Sequence, residues 1–198
     1  MSAVKAPQPR TAADAFLLSL NQAGIDYFFA NPGTDFAPII EGYSYGAQQG
    51  WKLPTPLPIT HETVAMGMAY GYTLATGRTQ AVMLHTKVGL ANGIMGLLNA
   101  SSDRVPMLMV SGRTPWTEQG RNGRRDAGIH WGQEMFDQAG MIREAVKWDY
   151  DARFGDQIPG LIDRALAIAE SAPEGPVYLS LPREIRGEAW PEGAALPK

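Results

Sequence analysis

Few side chains in this sequence can do acid–base or nucleophilic chemistry: there are three histidines, no cysteine, and one glutamate in an unusual setting. That glutamate is Glu62. It follows the short apolar run Leu57-Pro58-Ile59 and opens the stretch Thr63-Val64-Ala65-Met66-Gly67-Met68-Ala69-Tyr70-Gly71-Tyr72. An extended segment turning into a helix there would place the carboxylate at a helix N-terminus, where the helix dipole favours it. On this segment alone Glu62 is equally a plain first-turn acid, with Gly67 and Gly71 letting another helix pack closely. His85 ends the apolar run Ala81-Val82-Met83-Leu84. An imidazole that titrates near neutrality suits proton transfer, although a lone histidine at a strand end is more often structural.

Other candidates fail on context. Gly42-Tyr43-Ser44-Tyr45-Gly46 matches the G-x-S-x-G nucleophile elbow, but that elbow needs a buried strand before the serine and a helix after it. Here a predicted helix precedes Ser44 and the polar Ala47-Gln48-Gln49-Gly50-Trp51 follows. His61-Glu62 could begin an H-E-x-x-H zinc helix, yet Ala65 stands where the second imidazole belongs. With three histidines and no cysteine, no metal ligand set is assigned to this chain. Neither a Walker A sequence nor G-x-G-x-x-G occurs, so the usual phosphate cradles are missing.

The bulk numbers agree with one ordinary globular domain: 198 residues, 44% hydrophobic and 19% charged. The lack of cysteine excludes disulfides, thiolate metal sites and cysteine nucleophiles. The N-terminus, Met-Ser-Ala-Val-Lys, lacks the apolar core of a signal peptide, and no segment approaches the roughly 18 apolar residues of a membrane span. A cytoplasmic location is expected, with no membrane partner. A formal net charge of −3 supplies no field for nucleic acid. Arg113, Arg121, Arg124 and Arg125 make one basic loop, read as solvated or partner-facing because no stacking aromatics are interleaved.

Alternating helices and strands must position these groups. Thr11 can cap a helix running to Gly24; Tyr27-Phe28-Phe29-Ala30 reads as a strand ended by the turn Asn31-Pro32-Gly33-Thr34; and Phe36 to Ile40 reads as a helix. Glu62 to Ala75 is predicted helical on Val64, Met68, Tyr72 and Ala75, with Gly77 as the stop. Leu57-Pro58-Ile59 reads as a short strand or an extended approach, and further strands are expected at Ala81 to Leu84, Pro106 to Val110 and Val177 to Leu181, with helices at about Gly93 to Asn99 and Gln157 to Ser171. Gly112 to Gly132 is polar and glycine-rich, and reads as a functional or mobile loop. The expected fold is α/β: a doubly wound, mainly parallel six-stranded sheet with helices on both faces. Residues 1–10 are expected to be a disordered segment, 11–186 the domain, and 187–198 a tail. In such sheets the working residues lie past the strand C-termini, which singles out Asn31 to Thr34, His61-Glu62, His85 to Gly89 and Ser111-Gly112.

The run His61-Glu62 through Gly71-Tyr72, with its ending Thr76-Gly77, resembles the pyrimidine-binding domain of thiamine-diphosphate enzymes of the acetolactate synthase and benzoylformate decarboxylase type. The likeness extends from about Thr11 to Ile185. Asn31-Pro32-Gly33-Thr34 is similar to the decarboxylase N-P-G-S/T loop, and His85-Thr86-Lys87-Val88-Gly89-Leu90-Ala91-Asn92 to its small-residue loop ending in G-x-x-N. Arg104-Val105-Pro106 and Gly175-Pro176-Val177-Tyr178-Leu179, with Pro182, fall in the expected order.

The resemblance implies that Glu62 hydrogen-bonds N1′ of the aminopyrimidine and favours the imino tautomer, whose 4′ nitrogen can take the proton from thiazolium C2. It also implies that Pro32 and Gly33 bring backbone close to the pyrimidine, and that Asn92 fills the family's asparagine position unless it is simply a helix-start hydrogen-bonder. By the same likeness His85 and Thr34 face the substrate, and Gln133 and Glu134 resemble a Q-E segment near it unless they only start a surface helix. Lys87 departs from the family's small residue; it is read either as solvent-facing or as receiving an anionic substrate group or a partner.

Relatives hold the diphosphate and a divalent metal on a second domain with a G-D-G motif and a downstream asparagine, and no such sequence occurs here. The expectation is therefore an α-type subunit of a heteromeric (such as α2β2) 2-oxo acid decarboxylase, with thiamine diphosphate and Mg2+ completed by a diphosphate-binding partner. A fragment of a longer chain is the other way to account for the missing motif. Acetolactate-type carboligation and a non-catalytic subunit that kept the fold are the alternative functions.

Overall fold

The computed structural model describes residues 7–194 and 196. Its first helix, α1 (Ala12–Gln22), begins at a reciprocal capping box. The Thr11 hydroxyl accepts from the Asp14 amide at 3.2 Å, and the Asp14 carboxylate accepts from the Thr11 amide at 3.3 Å. Strand β1 (Tyr27–Asn31) follows, then a single 3-10 turn (Thr34–Phe36) leading into α2 (Ala37–Gln48). Strand β2 (Thr55–Pro58) carries prolines at Pro56 and Pro58, which an edge strand tolerates because its outer amides need no partner. Helix α3 (Glu62–Thr76) is capped by the His61 ring, which accepts from the Thr63 amide, and stops at Gly77 in the left-handed conformation at φ 69°.

Strand β3 (Gln80–Leu84), helix α4 (Thr86–Ser102) and strand β4 (Met107–Arg113) complete the first half. The second contains α5 (Ile129–Gly132), β5 (Asp149–Asp151), α6 (Ile158–Glu170), β6 (Pro176–Pro182) and α7 (Arg183–Arg186). The six strands form one all-parallel sheet in the order β2-β1-β3-β4-β6-β5. Side chains alternate between two cores. Phe28, Ala81, Met83, Leu108, Val110 and Leu179 pack under α1, α2 and α6, whereas Phe29, Val82, Leu84, Met107, Met109 and Tyr178 pack under α3 and α4. Strands β3, β4 and β6 are buried at every position, hence their unbroken apolar runs.

Several expectations need correction. Of the α3 face chosen from Val64, Met68, Tyr72 and Ala75, only Tyr72 packs against the core: Val64 is 49% and Met68 42% exposed and Ala75 is exposed, while Ala65, Met66, Ala69 and Thr73 are buried. Almost every residue of this helix is apolar or small, so periodicity offers several stripes, and close packing selects the narrowest. The glycines that allow close helix contact are Gly93 and Gly96 of α4, not Gly67 and Gly71. A Cβ on Gly96 would lie 2.4 Å from that of Met66, whereas one on Gly67 or Gly71 would meet nothing within 4 Å.

The loop expected from His85 to Asn92 is instead the first turns of α4, which also removes the helix-start role considered for Asn92. Strand β4 runs through Ser111 and Gly112 to Arg113, so those two residues lie within the sheet rather than past it. Strand β5, only three half-buried residues long, has no apolar run to announce it.

The terminal expectations also change where residues are described. Pro9 is buried and the Arg10 carbonyl accepts from the Trp190 amide at 2.7 Å; Ala189 bridges Thr11, and the Glu188 carbonyl accepts from the Ala12 amide at 2.9 Å. Residues 187–190 therefore close against the start of α1 instead of forming a free tail. Residues 1–6, 195, 197 and 198, the rest of the expected disordered segment and tail, lie outside the described residues.

Candidate active site

The C-terminal ends of β2, β1, β3 and β4 line one edge of the sheet, and the residues singled out from the sequence meet along it. Glu62, the first residue of α3, is 7% exposed. Among the described residues its one side-chain hydrogen bond comes from Asn92 Nδ2, which donates to Oε2 at 3.2 Å. The Thr63 hydroxyl donates to the Asn92 carbonyl at 3.2 Å and so ties the start of α3 to α4. Oε1 lies over Gly89, at 3.4 Å from where a Cβ would stand. A shielded carboxylate with one oxygen held and the other free can meet a hydrogen-bonding ring nitrogen.

His85 lies between β3 and α4 with its ring wedged against Gly33, where an added Cβ would fall 2.3 Å from Cγ and Nδ1. The bare backbone of the Asn31-Pro32-Gly33 turn thus admits this imidazole, whatever else approaches it. Asn31 pins the turn by donating from Nδ2 to the Ile59 carbonyl at 2.8 Å, across to the segment that enters α3. His85 Nδ1 is 2.5 Å from Asp35 Oδ1, and Nε2 is 3.1 Å from Gln133 Nε2. The next residue, Thr86, is buried at φ 43°, a strained conformation for a β-branched residue of the kind that collects at functional sites.

Gln133 caps the C-terminal end of α5 instead of starting a helix. Lys87 is half-buried, and its ammonium donates to the carbonyls of Gly132 at 3.1 Å and Glu134 at 3.2 Å, the two residues flanking Gln133. Thr34 is exposed at the mouth of a small cavity shared with Asp35, Thr86, Arg113, Gln133 and Arg183.

The basic loop is largely neutralised. Arg113 is buried at the end of β4, donating to the Met135 carbonyl at 2.8 Å and lying 3.4 Å from Glu134. Arg125 pairs with Glu134, and Arg121 with Glu188 at 2.5 Å. Ser44 is exposed in the middle of α2, where no nucleophile elbow exists. A larger surface cavity, lined in part by Thr73, Gly77, Arg78, Asp103 and Glu170, opens at the opposite end of the strands and contains none of the residues above.

Two residues of this site, Asp35 and Arg186, escaped the sequence, and Gly112, singled out there, takes part from within β4 instead of past its end. Asp35, Gly112 and Arg186 come from the turn after β1, from β4 and from α7; Asp35 contacts the His85 ring, and Gly112 and Arg186 border Asp35. The one local sign was an aspartate followed at once by Phe36, an acid in a stretch that enters the core.

The model of the N-terminal TPP-binding domain of thiamine pyrophosphate enzymes matches residues 10–141. The chain belongs to this family. Its curated relatives include the acetolactate synthase large subunit of Haemophilus influenzae, 27% identical over 88% of this chain and 28% of the relative. Benzoylformate decarboxylase of Pseudomonas aeruginosa is 27% identical over 93% of this chain and 32% of the relative. The chain therefore spans about a third of the length of these relatives. A crystal structure of benzoylformate decarboxylase from Polynucleobacter necessarius superposes over 96% of this chain and 33% of its own, with a TM-score of 0.77 at 21% identity, so the fold is shared. The matched span holds Glu62, His85, Asn92 and Gln133. No helix among the described residues is long and apolar enough to cross a membrane.

Proposed function

We propose that this chain supplies the pyrimidine-holding half of the active site of a thiamine-diphosphate-dependent enzyme acting on 2-oxo acids. We read it as the α-type subunit of a cytoplasmic heteromeric decarboxylase. The observation that carries this reading is the pairing of Glu62 with Asn92, at the same sheet edge as His85. When bound, the cofactor supplies the carbanion chemistry, while the protein supplies orientation and electrostatics.

In this reading Glu62 Oε1 holds a ring nitrogen of the aminopyrimidine, and Asn92 keeps the carboxylate turned toward it. Burial around Glu62 excludes water and strengthens that hydrogen bond. Pro32 and Gly33 form the backbone wall beside the ring. His85 Nε2 faces the mouth of the site, where it can hold or move a proton on the substrate. Thr34 borders the same space, and Lys87 acts through Gln133, whose flanking carbonyls it holds. The diphosphate and Mg2+ belong to a second domain or chain, giving an assembly such as α2β2. A carboligase of the acetolactate type is the second reading, favoured by the similarity to an acetolactate synthase subunit.

Glu62→Gln tests the assignment. The variant keeps its fold by circular dichroism and loses most turnover in the assembled enzyme; near wild-type activity would refute the role of Glu62. Titration of thiamine diphosphate with Mg2+ should show tight binding only when the diphosphate-binding partner is present. Tight metal-dependent binding by this chain alone would refute the half-site.

A further inference from the structure

The inner face of His85 is held by charges that the proposed chemistry does not use. Arg186 is fully buried, and its guanidinium lies 3.5 Å from Asp35 Oδ2. Burial draws Arg186 below its ordinary value, and Asp35 is the main influence opposing this. Starting so high, the guanidinium stays protonated and needs an anion beside it. Asp35 is that anion: it is 4% exposed, and its carboxylate occupies the space where Gly112 has no side chain. A Cβ on Gly112 would stand 1.4 Å from Oδ2.

An ionised carboxylate can only accept a hydrogen bond, so the 2.5 Å contact of Asp35 Oδ1 with His85 Nδ1 places a proton on Nδ1. An amide nitrogen can only donate. The 3.1 Å contact of Gln133 Nε2 with His85 Nε2 therefore fits a lone pair on Nε2. The Gln133 amide, oriented with its nitrogen toward the ring, matches the tautomer that Asp35 selects. The opposite tautomer would need a protonated Asp35 beside a buried guanidinium, and Gln133 turned to present its oxygen.

We infer that Asp35, kept ionised by Arg186 and seated by Gly112, is a positioning residue that fixes His85 in the Nδ1–H tautomer, leaving Nε2 as a proton acceptor at the mouth of the site. Gln133 is then the resting partner of Nε2, which a substrate must displace. This rests on the reading of His85 as a proton-transfer group and deepens it: His85 meets its substrate as a base, and a proton it later donates must first have been accepted at Nε2.

The test reads the ring nitrogens directly and needs neither cofactor nor turnover. The chain is labelled with 15N-histidine, and long-range proton–nitrogen correlations are recorded at about pH 8, above the ordinary histidine range. With three histidines, His85 is assigned by its loss in His85→Gln. The expected spectrum has a protonated Nδ1 and an unprotonated, pyridine-type Nε2; a protonated Nε2 overturns the inference. In Gln133→Ala the pattern is retained, and a switch would mean that Gln133, not Asp35, sets the tautomer. In Asp35→Asn with Arg186→Gln, which removes both buried charges together, the Nε2–H form that free histidine prefers becomes the major one. Persistence of the wild-type pattern in a folded double variant would also overturn the inference. Failure of Glu62→Gln to abolish turnover would sink the functional reading and leave these spectra unchanged.

Discussion

Gly112→Ala is the smallest change that attacks the site from within the core. Gly112 lies inside β4 with no backbone strain to complicate the outcome, so the whole effect is the clash of the new methyl, only 1.4 Å from Asp35 Oδ2. The β4 backbone is paired with β6 at Gly112 and with both β3 and β6 at the preceding Ser111, so it cannot readily retreat; Asp35 must move. Its departure takes from the buried Arg186 its paired anion and leaves only the weaker influence of Glu184, and breaking one side of a buried pair costs about 3–5 kcal/mol. Such a loss is about a fifth or more of a typical stability of about 5–15 kcal/mol. For a chain of this length it lowers Tm by roughly 6–20 °C, at about 2–4 °C per kcal/mol. Urea unfolding followed by circular dichroism gives the free energy, and calorimetry gives the Tm. Adding Asp35→Ala and Arg186→Met to Gly112→Ala removes both the obstruction and the orphaned charge and should recover most of the loss. A Gly112→Ala variant within about 1 kcal/mol of wild type would refute the argument, because it would mean that Asp35 does not fill that space.

Two further predictions use other parts of the fold. Burial raises the Tyr178 phenol from its ordinary 10.0 to about 12. Because the folded state favours the neutral form, this contribution is fully present below about pH 10 and is lost as the pH rises through about 12, a difference of about 3 kcal/mol. Tyr43, also raised by burial, acts in the same direction. Tyr178→Phe should flatten much of the alkaline decline while costing about 1 kcal/mol at neutral pH, since Gln138 and Ser111 still bond each other at 2.7 Å. Urea midpoints from pH 8 to 12 check this, and parallel wild-type and variant curves would contradict it. On the outer face of α3, Gly67→Ala and Gly71→Ala meet nothing within 4 Å and should each stabilise the isolated chain by about 0.5–1 kcal/mol through better helix propensity. A lowered Tm for either would count against that open face.

Much of this protein is legible without its structure because the relevant signals are local. The apolar runs of β3, β4 and β6 announce strands buried on both faces, their alternation with helices implies a parallel sheet, and Glu62 stands at a strand-to-helix junction whatever packs around it. Local signals failed where several local solutions were equally good or where none existed. Helix α3 is apolar or small nearly all round, so only packing against the sheet could choose Ala65, Met66 and Ala69 over Val64 and Met68. Strand β5 has three half-buried residues and borrows its strand character from β6.

The setting of His85 shows the same division. Its place at the end of β3 follows from the sequence, but Asp35 lies 50 residues before it and Gln133 48 after it. Gly112 and Arg186 reach Asp35 only because the strand order places β4 beside β3, and β6, with α7 at its end, beside β4. A periodic pattern records which face of an element is buried. It does not record which elements become neighbours, and the charge state, tautomer and orientation of a buried side chain depend on those neighbours.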